Sequence, residues 1–405
     1  MTDVSGTDLH KAFGGMPART IVGKDGRVRI FSCDQFIDDI CLGDCCFICG
    51  AKPGSRPFNG EHVIPDWVLR RFHLRDRDVT LYDGQTRTYG SYKLPCCEDC
   101  NTFLGKHVET PVSKLLAGGY DEIIARLDEV TIRQLFVWLC LLFLKTHLKD
   151  RSVPRHLDRR HGDGSLGDSY DWAPMHHLHC VVRAPYVGAQ IDPGVIGSLA
   201  VFHVADEAVI DTFDYGDLTG PQTICVRLED FAIVAVLNDC SLSYLAWSDL
   251  LSRIDGPVST FQLRQVAAML ATANTGLLVR PEFGTAFNPI LDTVRLYAIR
   301  PAPEFAPFDP LKLGETLAFV LREHIPHLSA DEIRDPEEVE ALIRSGRLAA
   351  HPVRMPSTGI GRVEARILRA QHGVSHMPRL QPDGDQAVQD GRERAHRRRR
   401  RRSRP

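Results

Sequence analysis

The most apolar run in the chain is LFVWLCLLFL, Leu135 to Leu144, with Arg133 and Lys145 at its flanks. A membrane span needs ~20 apolar residues, so this ten-residue run reads as a buried helix within a mostly helical stretch, 121–149, and no membrane partner is expected. Upstream, residues 27–33 (RVRIFSC) read as a short strand and DWVLRRFHL (66–74) as a short helix. VTLYDGQTRTYGSYKL (79–94) reads as a β-hairpin, because β-rich runs flank Asp83-Gly84. After Cys100, NTFLGKHVETPVSKLL reads as helix, interrupted or restarted at Pro111. The basic, Gly-containing stretch 149–168 reads as a loop.

From about 177 to 240 the pattern turns to β: HLHCVVRA, GSLAVFHVA, TICVRLED and FAIVAVLN are short β-branched runs bounded by Asp, Gly and Pro. STFQLRQVAAMLATANTGLL has helical spacing at Leu263, Val266, Leu270 and Leu277, ending at Gly276 and Pro281. A helix is expected at 312–324. Another follows Asp335-Pro336, where Asp caps, Pro fits the first turn and Gly346 ends it. Beyond about 352 the chain is poor in apolar residues and ends in RRRRRRSRP, which reads as disordered.

Composition adds little until the charge is divided. The whole is 43% hydrophobic and 25% charged, an ordinary globular balance, and 405 residues admit two or three domains. The net charge is -3, but residues 391–405 carry nine Arg and one Glu, a net +8, which leaves -11 for the rest. A mildly acidic body with a cationic tail is not a uniformly basic DNA-binding domain; the tail suits nucleic acid without sequence readout, or is a dispensable low-complexity end. The opening MTDVSGTDLHKAFGGMPART lacks the apolar core of a signal peptide. The expected location is the cytoplasm, where thiols stay reduced, so the twelve cysteines point to metal rather than to disulfides.

Two pairs carry that signal, Cys46-x-x-Cys49 followed by Gly50, and Cys97-x-x-Cys100. Each loop can present two sulfurs to one tetrahedral Zn²⁺ at ~2.3 Å per bond. Cys45 and Cys96 lie beside these ligands, and a 45/49 pair would have x-x-x spacing, so Cys46 and Cys49 are preferred. Between the pairs stands Glu61-His62-Val63-Ile64-Pro65, and Asn101 directly follows the last cysteine. Phosphodiester hydrolysis needs an activated water and a cation against the phosphate charge. A carboxylate such as Glu61 can hold Mg²⁺ or a similar hard cation, and an Asn carbonyl such as Asn101 can add a second oxygen ligand. A histidine such as His62, titrating near ~6.5, can take a proton from water at neutral pH. Singly, each has a plainer role: His62 structural, Asn101 a helix cap, Glu61 a surface charge. Their joint placement favours chemistry.

This arrangement resembles the HNH endonucleases of the ββα-metal fold, in the subgroup stapled by four cysteines. The matching residues are Cys46, Cys49, Glu61, His62, Cys97, Cys100 and Asn101, within about residues 44–116. The resemblance implies a structural Zn²⁺ on the cysteines, a catalytic Mg²⁺ or Mn²⁺ on Glu61 and Asn101, and His62 as general base. It also implies a further cation ligand on the helix after Asn101. The candidates are His107 and Glu109; at α-helical pitch Glu109 lies about 80° round from Asn101 and His107 about 120°, so Glu109 is preferred.

The expected fold class is α+β: an N-terminal arm (1–40), a zinc-stapled ββα-metal nuclease module (41–116), a larger α+β domain of unread function (117–350) and a disordered Arg-rich tail (351–405). The expected function is metal-dependent endonuclease cleavage of nucleic acid, DNA in the first instance. The alternative is a catalytically inactive zinc-stabilised nucleic-acid-binding or regulatory module. Two further features are weaker. In MHHLHC, alternation puts His177 and His179 on one strand face beside His176, but no carboxylate partner accompanies them and they read as ordinary strand residues. Arg70, Arg71, Arg75 and Arg77, and Lys149, Arg151, Arg155, Arg159 and Arg160, could meet phosphates or form a solvated face.

Overall fold

A computed structural model describes residues 19–322 apart from 81–84, 157–159, 161, 208–210 and 255. The turn at Asp83-Gly84, the helix expected after Asp335 and the Arg-rich tail lie outside the described residues.

The architecture mixes helix and sheet, as an α+β class requires. A short antiparallel pair, β1 (Ile21–Val22) and β2 (Val28–Ile30), leads into α1 (Cys33–Gln35), which continues as a π-helix, Phe36–Cys41. Next comes β3 (Phe58–His62), then α2 (Asp66–Arg71) and the hairpin strands β4 (Asp78–Thr80) and β5 (Thr86–Thr88). Strand β6 (Lys93–Cys97) returns antiparallel to β3, and α3 (Glu98–Leu104) starts directly after it. The helix runs through a π-helical turn, Gly105–Glu109, into α4 (Thr110–Leu116). Pro111 is the second residue of α4, directly after the π-helical turn, and the helix continues across it.

Helices α5 (Gly119–Arg126) and α6 (Glu129–Asp150) follow. Helix α6 is the hub. By length and composition it could cross a membrane, but 78% of its most apolar 18-residue window is buried by the protein itself. Its buried residues form one cluster with Phe36, Phe47, Leu94, Cys100 and Leu104 on one side and Leu178, Leu199, Ile233 and Leu296 on the other. The cysteine-bearing segment and the chain after it therefore share a core.

Beyond α6 comes one correction. The segment expected as a strand at HLHCVVRA is helix α7 (His176–Val187), ended by Gly188 in the left-handed conformation. It is buried nearly all round, and such a segment shows neither period, so the alternation of His177 and His179 carried no strand information. The expected strands at 197–205, 223–230 and 231–238 are present. After β7 (Gln190–Ile191), β8 (Ser198–His203), β9 (Phe213–Leu218), β10 (Thr223–Leu228) and β11 (Phe231–Val236) form an antiparallel sheet of order β8-β11-β10-β9. Short helices α8 (Leu242–Ala246) and α9 (Ser248–Leu251) precede α10 (Thr260–Thr275), where Ser259 and Gln262 form a capping box. Alternate sheet residues such as Phe202, Val234 and Val236 pack under Leu263, Val266 and Leu270 of α10, while Leu199, Val226 and Ile233 face the α6 cluster. With both faces covered, β10 and β11 read as continuous apolar runs. A second sheet, β7 with the hairpin β12 (Glu282–Asn288) and β13 (Thr293–Ile299), was not anticipated from the sequence. Helix α11 (Pro310–Leu321) fills the place expected at 312–324.

Candidate metal centre and the end of strand β3

The Cys46-x-x-Cys49 loop closes through Gly50 N–H donating to the Cys46 carbonyl and Cys46 N–H donating to that of Ala51. Gly50 has φ +73°, and a Cβ there would meet the Phe31 ring at 2.6 Å, so the turn needs glycine on both counts. The second loop joins the end of β6 to the first turn of α3. The Sγ atoms of Cys46, Cys49, Cys97 and Cys100 all lie within 4.8 Å of one another, with Cys49 and Cys97 3.6 Å apart. Tetrahedral Zn²⁺ at ~2.3 Å per sulfur implies sulfur separations of about 3.8 Å. The cluster can therefore hold a metal ion such as zinc. Cys96, outside this set, is 3.8 Å from Cys46. Thiols this close cannot ionise independently. Hydrogen bonds from Cys100, Cys49 and Cys96 hold Cys46 below the ordinary thiol range, and Cys46 in turn drives Cys96 and Cys100 far above it. A bound cation removes that competition.

Arg183 on α7 braces the first loop from behind. It is 1% exposed and donates to the carbonyls of Ile48, Arg29 and Val28, while its guanidinium lies 4.4 Å from the Phe31 ring centre. We expect Arg183→Met to destabilise the fold by about 3 kcal/mol, since three carbonyl acceptors, two of them in buried bonds, lose a charged donor; urea denaturation reads it.

The four-cysteine cluster sits at the β3–β6–α3 corner, and the remaining candidates stand on that corner. The pairing runs regularly from Phe58↔Cys97 to His62↔Lys93, so Asn59 and Glu61 share one strand face and His62 projects to the other. The structure brings Asn101 to β3: its Nδ2 donates to Asn59 Oδ1 at 2.7 Å, which leaves its own amide oxygen free of that bond. Glu61 is 6% exposed, and Oε1 accepts from Lys145 Nζ at 2.7 Å. Lys145, 0% exposed, also donates to the His62 carbonyl at 2.8 Å and to Glu109 Oε1 at 3.2 Å. Glu109 is thus drawn towards Glu61 by the π-helical turn and the lysine between them. Burial raises the Glu109 carboxyl above its ordinary value. Burial opposes the charge on Lys145, but Glu61 and Glu109 outweigh it and hold the ammonium above the usual lysine value. His107 is exposed and stacks on Phe103, ring centres 4.5 Å apart. His62 is half-buried, its Nε2 is enclosed without a partner among the described residues, and burial first and Lys93 second lower its titration below 6.5.

Sequence reasoning missed Lys145, Asn59 and Arg183. Only Lys145 carried a signal, a charge placed directly against ten apolar residues.

Other candidates are brought elsewhere. His176, His177 and His179 are buried and bond to the carbonyls of Phe31, of Pro174 and Leu237, and of Phe47 respectively, which makes them structural. The insert arginines have carboxylate partners: Arg70 and Arg75 on Asp66, Arg71 on Glu229 at 2.6 Å, Arg77 on Asp211 at 2.5 Å. Lys149 lies over the Tyr92 ring, Arg151 binds the Ile40 carbonyl and Asp44, and Arg155 binds the Ser165 carbonyl. Arg159 lies outside the described residues.

No protein-family profile matches the chain, and neither a curated protein nor a solved structure matches it.

Proposed function

We propose that the β3–β6–α3 corner is a zinc-stapled nuclease site of the HNH, ββα-metal kind, which hydrolyses phosphodiester bonds of nucleic acid, with DNA as the first expectation. The observation that carries this reading is the order strand, strand, helix around four clustered cysteines, with Glu61-His62 closing the first strand and Asn101 on the helix. Zinc would be structural. The residues that would hold a catalytic Mg²⁺ or Mn²⁺ are Glu61, through the oxygen that Lys145 does not take, and Asn101, through its amide oxygen. Such a cation supplies charge stabilisation at the phosphate and the leaving oxygen.

The opposed faces of Glu61 and His62 suit in-line displacement, in which the attacking and leaving oxygens lie on opposite sides of phosphorus. A phosphate over the end of β3 would meet His62 on one side and the Glu61–Asn101 side on the other. His62, titrating low, is neutral at pH 7 and can take the proton of the attacking water at a ring nitrogen. Because the neutral form acts, activity should rise with pH through an acid limb below 6.5. Lys93→Glu should move that limb to higher pH; a pH–rate profile of both proteins checks this.

The direct test is incubation of purified protein with supercoiled plasmid, and with a structured RNA, in Mg²⁺, Mn²⁺, Ca²⁺ or EDTA. Nicking in Mg²⁺ or Mn²⁺ and none in EDTA is expected; no cleavage with any cation rejects the reading. The second reading, a zinc-stabilised nucleic-acid-binding module without chemistry, draws support from Lys145, whose ammonium already neutralises the carboxylates. It predicts retarded DNA and no nicking.

A further inference from the structure

We propose that the Lys145 ammonium is the resident cation of the Glu61–Glu109 pair and sets how weakly this site takes a divalent ion. Three oxygens from two elements converge on one point: Glu61 Oε1 and the His62 carbonyl from β3, at 2.7 and 2.8 Å, and Glu109 Oε1 from the π-helical turn at 3.2 Å. An all-oxygen donor set of two carboxylates and a carbonyl is what a hard cation selects. Here the three N–H groups of one ammonium satisfy it, and the lysine stem is fully buried along α6. Two carboxylates set this close in a largely enclosed site need a compensating positive charge, and the Lys145 ammonium supplies it. A divalent ion placed on the other Glu61 oxygen would lie within a few ångströms of this positive charge and be repelled. Lys145 and the metal therefore compete for the same negative charge.

This inference concerns metal binding and holds whether or not the site cuts nucleic acid. Its test uses the full chain, zinc-loaded so that the thiols are occupied, titrated calorimetrically with Mn²⁺ at pH 7.5 without nucleic acid. Lys145→Met, which keeps most of the stem and removes the charge, should bind one equivalent of Mn²⁺ roughly tenfold or more tightly than wild type. Lys145→Arg should behave as wild type, and adding Glu61→Gln to Lys145→Met should abolish the gain. Equal Mn²⁺ affinity in Lys145→Met and wild type, or a gain that survives Glu61→Gln, overturns the proposal. If Lys145→Met does not fold without metal, recovery of its folded signal by Mn²⁺, and not by NaCl of matched ionic strength, supports the proposal; failure of Mn²⁺ to restore it counts against. Plasmid nicking enters none of these readings, so this proposal and the nuclease reading can fail separately.

Discussion

Cys97→Ser is expected to lose the bound metal and to unfold the β3–β6–α3 corner. Cys97 is the last residue of β6, pairs with Phe58 and begins the turn into α3. Its sulfur therefore couples both strands to the helix. Serine is nearly isosteric, but a hydroxyl is a poor zinc ligand at neutral pH and leaves three sulfurs, two of them buried, without their common cation. A structural zinc in a small fold contributes on the order of 10 kcal/mol, comparable to the whole stability margin of a typical domain, about 5–15 kcal/mol, so its loss should cause partial unfolding. The core shared with α6 should keep the remainder compact, so the loss is local at first. Zinc analysis should fall from one equivalent to none, and amide exchange should rise across 46–104 before it rises in β10 and β11. Retained zinc with unchanged exchange would show that the cysteines are ordinary core thiols.

His62→Ala is expected to reduce nicking by about 10²–10⁴-fold, the usual contribution of a positioned general base, while leaving zinc and fold in place. The side chain is half-buried at a strand end, its Nε2 bonds nothing described, and its backbone carbonyl, not its ring, accepts from Lys145. Removing the ring therefore breaks no hydrogen bond of Nε2. Melting temperature and zinc content should match wild type, and millimolar imidazole should restore part of the rate. A variant that also loses zinc or melts early would mark His62 as a structural residue.

The parts of this site that the sequence made legible are those with short-range signals. The CxxC pairs need only local turns, and Gly50 supplies the positive φ at the first of them. Asn101 follows Cys100 directly, so any fold that brings the sulfurs together also brings it near β3. The long-range partners were hidden. Lys145 is 84 positions from Glu61, and its meaning depends on α6 packing against β3. A charge beside ten apolar residues could have pointed to a buried partner, because a buried ammonium needs an anion, but not to which one. The histidines of α7 failed for the opposite reason: burial on all sides erased the period that separates helix from strand. The hairpin β12–β13, with Gly284 and Thr285 between Phe283 and Phe287, gave no clear strand pattern, and it pairs with β7, about 100 residues away in sequence.

The most direct measurement is the initial rate of plasmid nicking in Mn²⁺ by zinc-loaded wild type and His62→Ala, prepared side by side with equal zinc content. The account predicts cation-dependent nicking by wild type and loss of at least 10²-fold of that rate in the variant. Equal rates in the two proteins, or no nicking by wild type, would contradict it.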